Sequence, residues 1–217
     1  MKTIYLIAIL VLSFNSIAQT SEDLFKATSF KITWLGIDYS HVKLIGDISE
    51  KQKLALTPEQ IKEKYFVAWN KIISDEHRKY DVQKMFRSRY VGTNVEKITQ
   101  INAEAKTDEM IDTESPNYDK STIEEFLEST NFELDGIGFL LIAETLDQTK
   151  ETGTYIFVAI NLNDNNAILI YDRIAGKCWG GNFRNYWSNT FFEVIVKITE
   201  ELYPKWKKKP ETRILKD

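Results

Sequence analysis

The segment that decides the fold spans residues 137–171 and reads IGFLLIAETLDQTKETGTYIFVAINLNDNNAILIY. Three apolar runs, residues 137–146, 154–162 and 167–171, are separated by two polar turns of the kind that joins neighbouring strands. The first two runs are almost continuously apolar rather than alternating, a pattern typical of strands covered on both faces. We therefore expect a C-terminal antiparallel meander at the centre of a layered domain.

The flanking sequence predicts strands and helices on both sides of this meander. Residues 32–39 (ITWLGIDY) read as a buried strand, which residues 42–45 continue or partner. Thr57-Pro58-Glu59-Gln60 predicts a capped helix start. Further expectations are a short helix over 80–87, an edge strand over 95–101, a helix opened by a capping box at 121–124, and a last helix over 185–202, ended by Pro204.

The order of these elements defines the fold class. Early strands joined through helices, followed by consecutive strands joined by short turns, indicate an α/β (α+β mixed) layered domain. We expect a mixed sheet of about five strands with helices packed on it. Residues 19–217 fit one globular domain, which a basic tail at 205–217 leaves.

The N-terminus has the three parts of a secretory signal peptide. Lys2 precedes an apolar run over residues 4–14, and Ser16 and Ala18 occupy the positions that a signal peptidase reads. A bilayer-spanning helix needs about 20 apolar residues, roughly twice this run. The sequence predicts a signal peptide at residues 1–18, export to the periplasm or cell surface, and no transmembrane segment in the mature protein.

Composition narrows the functional classes. The chain has 28 basic and 32 acidic residues, a net charge of −4, and this balance argues against a nucleic-acid partner. Cys178 is the only cysteine, so an exported form has no internal disulfide. Residues 103–135 contain eleven acidic residues and only two lysines. The acidic residues lack the spacing of a calcium-binding loop, so we expect a solvated surface.

Catalytic and metal sites have weak sequence support. His41 and His77 lack the spacing of zinc ligands, so we expect no metal and no cofactor. Cys178 has no neighbouring base that would make it a nucleophile. Strand-end carboxylates are the only candidates for hydrolytic chemistry: Asp38, Asp47, Glu144 and Asp172. Whether the chain is an enzyme stays open, with a binding role favoured.

One segment does predict a binding site: residues 176–187, GKCWGGNFRNYW, between the last predicted strand and the last helix. Gly180 and Gly181 permit unusual backbone conformations, and a helix N-terminus presents free N–H groups to an anion. Arg184 beside it suggests a site for a carboxylate, a phosphate or an acidic sugar. The candidate ligand-binding residues are Gly180, Gly181, Arg184, Asn185 and Trp187. The structural alternative is that Arg184 and Asn185 bond to loop carbonyls above packed aromatic rings.

The run Gly180-Gly181-Asn182-Phe183-Arg184-Asn185-Tyr186-Trp187, together with residues 32–39, resembles an uncharacterised family of exported Bacteroidota proteins. The resemblance covers most of the mature chain and implies no catalytic residue, because the family has no established activity. The element order is also similar to periplasmic α/β domains of curli-secretion and envelope-assembly proteins. Three hypotheses follow: a non-enzymatic envelope binding or assembly domain whose partner is another envelope protein or surface component, a small-molecule, anion or glycan binder, and a hydrolase.

Overall fold

The computed structural model describes residue 25, residues 31–87 and residues 91–208. The predicted signal peptide and its cleavage site lie outside the described residues, as do residues 209–217 of the predicted tail. Within the described part, seven strands form one mixed sheet: β1 Ile32–Asp38, β2 Lys43–Ile45, β3 Val91–Thr93, β4 Ile111–Asp112, β5 Ile137–Asp147, β6 Thr152–Asn161 and β7 Ala167–Lys177.

The sheet is built around β5. Along one edge β5 pairs antiparallel with β6, which pairs antiparallel with β7, so the predicted meander is confirmed. Along its other edge, β5 pairs in parallel first with β1 and then, further along, with β2. β3 pairs in parallel with β1, and β4 with β2. Because β1 and β2 share one edge of β5, the seven strands make a sheet five strands wide.

Helices cover both faces of the sheet, and the α/β class is confirmed. The side chains of β5 alternate between two cores, as in strands buried on both faces. Phe139 and Leu141 join Trp69 and Phe191 on one face, and Leu140 joins Ile98 and Ile123 on the other. The helices are α1 Pro58–Ile61, α2 Val67–Asp75, α3 Val82–Met85, α4 Glu96–Glu104, α5 Lys120–Glu128, α6 Phe183–Lys197 and α7 Tyr203–Lys208.

Helix starts follow the sequence in one case and depart from it in another. The capping box at Thr57 is present: its hydroxyl accepts from the Gln60 N–H at 3.3 Å, and the Gln60 side chain accepts from the Thr57 N–H at 3.0 Å. For α5 the cap is Asp119, whose carboxylate accepts from the Thr122 N–H at 2.9 Å. The helix therefore begins before the Ser121 cap that the sequence suggested.

Residues 95–101 were expected as an edge strand, and that prediction is wrong. Residues 96–101 form the start of α4, and Val95 is its N-cap residue. The apolar residues Val95, Ile98 and Ile101 recur every three positions, which is the spacing of a helix face rather than of a strand. Ile98 is buried against the second core, and this packing selects the helix.

The last helix is also longer than predicted. A π-helical segment, Ile198–Leu202, joins α6 to α7, and the Tyr203 N–H bonds to the Ile198 carbonyl five residues earlier. Pro204 is the second residue of α7, so the prediction that it ends the helix is wrong. Trp206 is 1% exposed, stacks on Phe157 at 4.9 Å and donates to Asp172 at 3.1 Å. Residues 205–208 therefore belong to the domain rather than to a solvated tail.

In the described part of the chain, no helix is both long and apolar enough to cross a membrane.

Close contact between α6 and the meander explains Gly176 at the end of β7. A side chain at this position would collide with the Thr190 carbonyl in α6. Gly153, opposite it on β6, also lies close to α6, because an added Cβ would be 2.6 Å from the Thr190 hydroxyl. The first glycine of the 176–187 segment therefore serves helix–sheet packing.

The outer edge of β1 is completed by two asparagine side chains instead of a strand. β3 pairs only with residues 32–34, so the backbone further along β1 needs other partners. Asn70 of α2 accepts from the Ile37 N–H at 2.7 Å and donates to the Ile37 carbonyl at 2.9 Å. Asn102 of α4 donates to the same carbonyl at 2.8 Å and accepts from the Tyr39 N–H at 2.6 Å. Both amides are buried.

Gly36 makes this arrangement possible. It has φ +116°, a conformation that favours glycine, and the register with β5 shifts between Trp34 and Gly36. An added Cβ would lie 2.8 Å from the Asn70 side-chain oxygen. The bulge therefore opens the space that the amide fills.

We predict that Asn70→Ala lowers the free energy of unfolding by about 1–3 kcal/mol, because it leaves the buried Ile37 N–H without a partner. Urea denaturation followed by circular dichroism measures the change. Val67→Ala, on the exposed face of the same helix, is the control and should change stability by less than about 0.5 kcal/mol. Equal effects of the two substitutions would contradict the strand-completing role of Asn70.

Candidate functional site

The 176–187 segment leaves β7 and enters α6, and its residues divide into two groups. Gly180, Gly181, Arg184 and Asn185 lie at the surface around the start of α6, whereas the Trp187 side chain points into the core. Asn182 caps the helix, since its side chain accepts from the Asn185 N–H at 2.8 Å. The structure thus brings four of the five predicted ligand-binding residues together and sets Trp187 apart.

Arg184 already has an acidic partner. Its guanidinium lies 3.1 Å from the Glu76 carboxylate, at the end of α2, and donates to the Asn185 side-chain oxygen at 3.3 Å. The Arg184 carbonyl accepts from the Trp69 indole at 3.0 Å. Because Glu76 balances the charge of Arg184 and Asn182 fills the helix cap, this surface presents hydrogen-bonding groups with little excess positive charge.

Trp187 has a structural role. It is 1% exposed, packs edge-on against Tyr186 at 5.4 Å, and donates its indole N–H to the Ile48 carbonyl at 3.0 Å. Its ring therefore offers no face to a ligand. Instead it fixes residue 48, which lies in the chain between β2 and α1.

Ile48 forms part of the wall of an apolar groove of about 410 Å³. The groove opens beyond the carboxyl end of β2, where residues 46–49 line it, and such a place is a usual position for ligand sites in α/β sheets. Its apolar lining comes from β2, the β2–α1 connection, α1 and β4: Leu44, Ile48, Leu56, Pro58, Ile61 and Ile111.

The groove extends to unusually exposed aliphatic side chains. Ile111 is 69% exposed, and Leu54, next to the lining residue Ala55, is 40% exposed. The hydrophobic effect disfavours such exposure unless a partner covers it. Sequence reasoning missed this groove because its walls come from segments far apart in the chain.

The groove is bordered by a negatively charged segment. Residues 104–114 contain five acidic residues and one lysine, Lys106. That lysine lies 3.3 Å from Glu109. Asp112, at the end of β4, accepts from the Thr113 and Glu114 N–H groups, and these bonds lower its pKa, so its carboxylate stays charged.

A second surface feature absent from the predicted site is Trp179. It is 47% exposed, whereas Trp34, Trp69, Trp187 and Trp206 are at most 1% exposed. Nothing in its local sequence, between Cys178 and Gly180, distinguishes it from the buried tryptophans. The exposed aromatic residue of the segment is therefore Trp179 rather than Trp187.

The residues considered for catalysis are held in structural contacts. Burial raises the pKa of the Cys178 thiol to about 12, so the thiolate is disfavoured. Glu144 accepts two hydrogen bonds from Arg173, at 2.8 and 2.9 Å, and one from the Tyr118 N–H. The remaining candidates are also bonded: Asp38 to the Ser40 N–H, Asp47 to Ser49, and Asp172 to the Trp206 indole.

The residues that the structure describes include no group of three or more histidine, cysteine, aspartate or glutamate side chains that could hold a metal ion.

His41 lies just beyond the end of β1. Its ring stacks on Phe126 of α5 with centroids 3.5 Å apart and planes almost parallel. Burial lowers its pKa; Lys43 acts in the same direction, while Asp38 and Glu109 oppose the shift. The neutral imidazole is thus favoured in the folded state.

We predict that Trp187→Phe lowers the free energy of unfolding by about 1–3 kcal/mol, because the Ile48 carbonyl loses its buried donor. Arg184→Ala removes a half-exposed ion pair and should change the free energy of unfolding by less than about 1 kcal/mol. Chemical denaturation of both variants makes the comparison. A larger effect of Arg184→Ala would mean that Arg184, rather than Trp187, holds the segment together.

A pH-dependent stability difference is expected from His41. The folded-state pKa of His41 is below its ordinary value. The contribution of His41 to the free energy of unfolding is therefore complete above about pH 6.5 and is lost as the pH falls towards the folded-state pKa. His41→Phe keeps a stacked ring and removes the titration. Unfolding free energies at about pH 7.5 and about pH 5.5 should differ more for the natural chain than for the variant. Parallel pH profiles would contradict this assignment.

No protein-family model, no characterised protein and no solved structure matches the chain. The resemblance to exported Bacteroidota proteins, and the likeness to envelope-assembly domains, therefore stay predictions.

Proposed function

We propose that the chain is a non-enzymatic, exported domain that binds another protein of the bacterial envelope, and that the apolar groove beside β4 is its binding surface. The observation that carries the proposal is the groove itself, about 410 Å³ in volume and continuous with Ile111, which is 69% exposed. An aliphatic surface of this kind is stabilised when a partner removes it from water.

The geometry of β4 favours an extended segment as the occupant. β4 is two residues long and pairs, among the described residues, only with β2. Its other edge can accept backbone hydrogen bonds from an added strand, the usual way in which sheets bind extended peptides. Side chains on one face of that strand would then reach the apolar lining.

The negative charge beside the groove favours a partner segment with basic residues. The segment 104–114 carries an excess of carboxylates, and the ammonium of Lys43, the residue before the lining residue Leu44, is bonded to the Glu109 carbonyl. Acidic groups beside an apolar groove favour lysine or arginine next to the inserted apolar residues, and they raise the rate of encounter with a basic segment. We therefore propose an occupant that alternates apolar and basic residues.

Fluorescein-labelled nonapeptides provide the test: one alternates leucine with lysine, one serine with lysine, and one leucine with glutamate. Fluorescence anisotropy should show binding of the leucine–lysine peptide. The other two should bind at least about tenfold more weakly, because one lacks the apolar side chains and the other repels the acidic rim.

The matched variants are Ile111→Glu in the groove and Val67→Glu on the exposed face of α2, where the valine is 48% exposed. Ile111→Glu should weaken binding of the leucine–lysine peptide at least about tenfold, whereas Val67→Glu should leave it unchanged. Equal affinities for the two variants would overturn the assignment of the groove.

A further inference from the structure

Trp179 has a fixed position on the surface, and it is separate from the groove. The residue is 47% exposed, yet it is held by three contacts. The Phe192 ring packs edge-on at 6.2 Å, the Lys79 ammonium lies 5.2 Å from the ring centroid, and the Trp179 carbonyl accepts from Asn189 at 2.6 Å. The half-exposed residue is thus held in one orientation, with the Lys79 ammonium over one face of the ring.

Asn189 is the buried centre of this support. It is 2% exposed, and its two side-chain atoms serve different partners. The amide nitrogen donates to the Trp179 carbonyl, and the amide oxygen accepts from the Lys79 ammonium at 2.7 Å. Lys79 also lies 4.8 Å from the Tyr80 ring and 5.2 Å from the Phe192 ring. Cation–π attraction and a buried amide therefore fix the lysine and, through it, the tryptophan.

Besides the Phe192 ring, polar groups lie near Trp179. Gly180 and Gly181 follow it without side chains to cover the ring, and an added Cβ at Gly181 would meet nothing within 4 Å. At Gly180 such an atom would be 3.7 Å from Asn185, which with Arg184 and Glu76 supplies amide, guanidinium and carboxylate groups. An aromatic ring in a protein interface is normally surrounded by other apolar side chains, and that surrounding is found at the groove rather than here.

We propose that Trp179 and the polar groups at the start of α6 form a saccharide-binding subsite. The C–H face of a pyranose ring is attracted to the negative face of an aromatic ring, and its hydroxyl groups need both donors and acceptors nearby. The pairing of Arg184 with Glu76 supplies both with balanced charge. The Lys79 ammonium is already engaged by the Asn189 amide oxygen and by aromatic rings, so the ligand class that we propose is a neutral saccharide, not a phosphate or a carboxylate.

Lys79 is a positioning residue in this proposal. It does not need to touch the saccharide, because its ammonium acts by holding the Trp179 ring. Replacing it with methionine keeps the apolar stem and removes the charge, so the ring should become more mobile. Affinity should then fall even though Trp179 is present.

Tryptophan fluorescence tests the subsite directly, because Trp179 alone among the five tryptophans is accessible to a quencher. The probes are cellotetraose, maltotetraose and the tetramer of N-acetylglucosamine, at millimolar concentrations, with acrylamide as the quencher and sialyllactose as the anionic comparison. At least one neutral oligosaccharide should protect Trp179 from quenching in a saturable manner, and more strongly than sialyllactose does.

The variants separate binding from folding. Trp179→Ala should reduce oligosaccharide affinity, measured by calorimetry, at least about tenfold, and Lys79→Met should reduce it by a smaller factor and raise the mobility of the Trp179 ring in fluorescence anisotropy. Leu54→Ala, at the groove, is the control and should leave affinity unchanged. Trp179→Ala and Lys79→Met should both bind the leucine–lysine peptide normally. Failure of the saccharide proposal can therefore be distinguished from failure of the groove proposal.

Two outcomes would overturn the proposal. One is the absence of protection by all three neutral oligosaccharides in the folded natural chain. The other is loss of leucine–lysine peptide binding in Trp179→Ala, which would make Trp179 part of a protein-binding surface instead.

Discussion

The fold depends on how the outer edge of β1 is paired. β1 lies beside the central strand β5, but β3 covers only its first three residues, and the peptide groups of Ile37 and Tyr39 are left within the protein interior. Buried peptide groups require partners. Asn70 and Asn102 supply them with amide groups that have the donor and acceptor geometry of a neighbouring strand. Because Asn70 is on α2 and Asn102 on α4, this constraint fixes one helix of each face against the same strand.

The meander could be predicted from sequence because its signal is local. Continuous apolar runs joined by polar turns specify strands buried on both faces, and the capping box at Thr57 specifies a helix start. α4 was missed because Val95 and Ile98 also suit a strand, and only packing against the second core decides between them. Trp206 was missed because a proline and several lysines nearby suggest a solvated end, whereas contacts with Phe157 and Asp172 determine its position.

The candidate site could be predicted only in part, for the same reason. The sequence identified the segment that contains Gly180, Gly181, Arg184 and Asn185, but the partners of that segment lie far away in the chain. Glu76 is 108 residues before Arg184, and Ile48 is 139 residues before Trp187. These contacts change the expected chemistry of the site. Glu76 balances the charge of Arg184, and the bond to Ile48 holds the Trp187 ring in the core. Local composition indicated where to look, and long-range pairing determined what the surface presents.

The two proposed surfaces are connected physically by the first half of α6. Trp187 bonds to Ile48 in the groove wall, and Asn189, two residues later, bonds to both Lys79 and Trp179. Thr190 lies in the same part of α6 and contacts the meander. The helix is so close to β7 at this point that a side chain at position 176 would not fit. Each surface is thus supported by a buried polar group that would be costly to leave unpaired. A ligand that meets a surface fixed in this way loses less free energy to ordering, so the rigidity of α6 favours binding at both places.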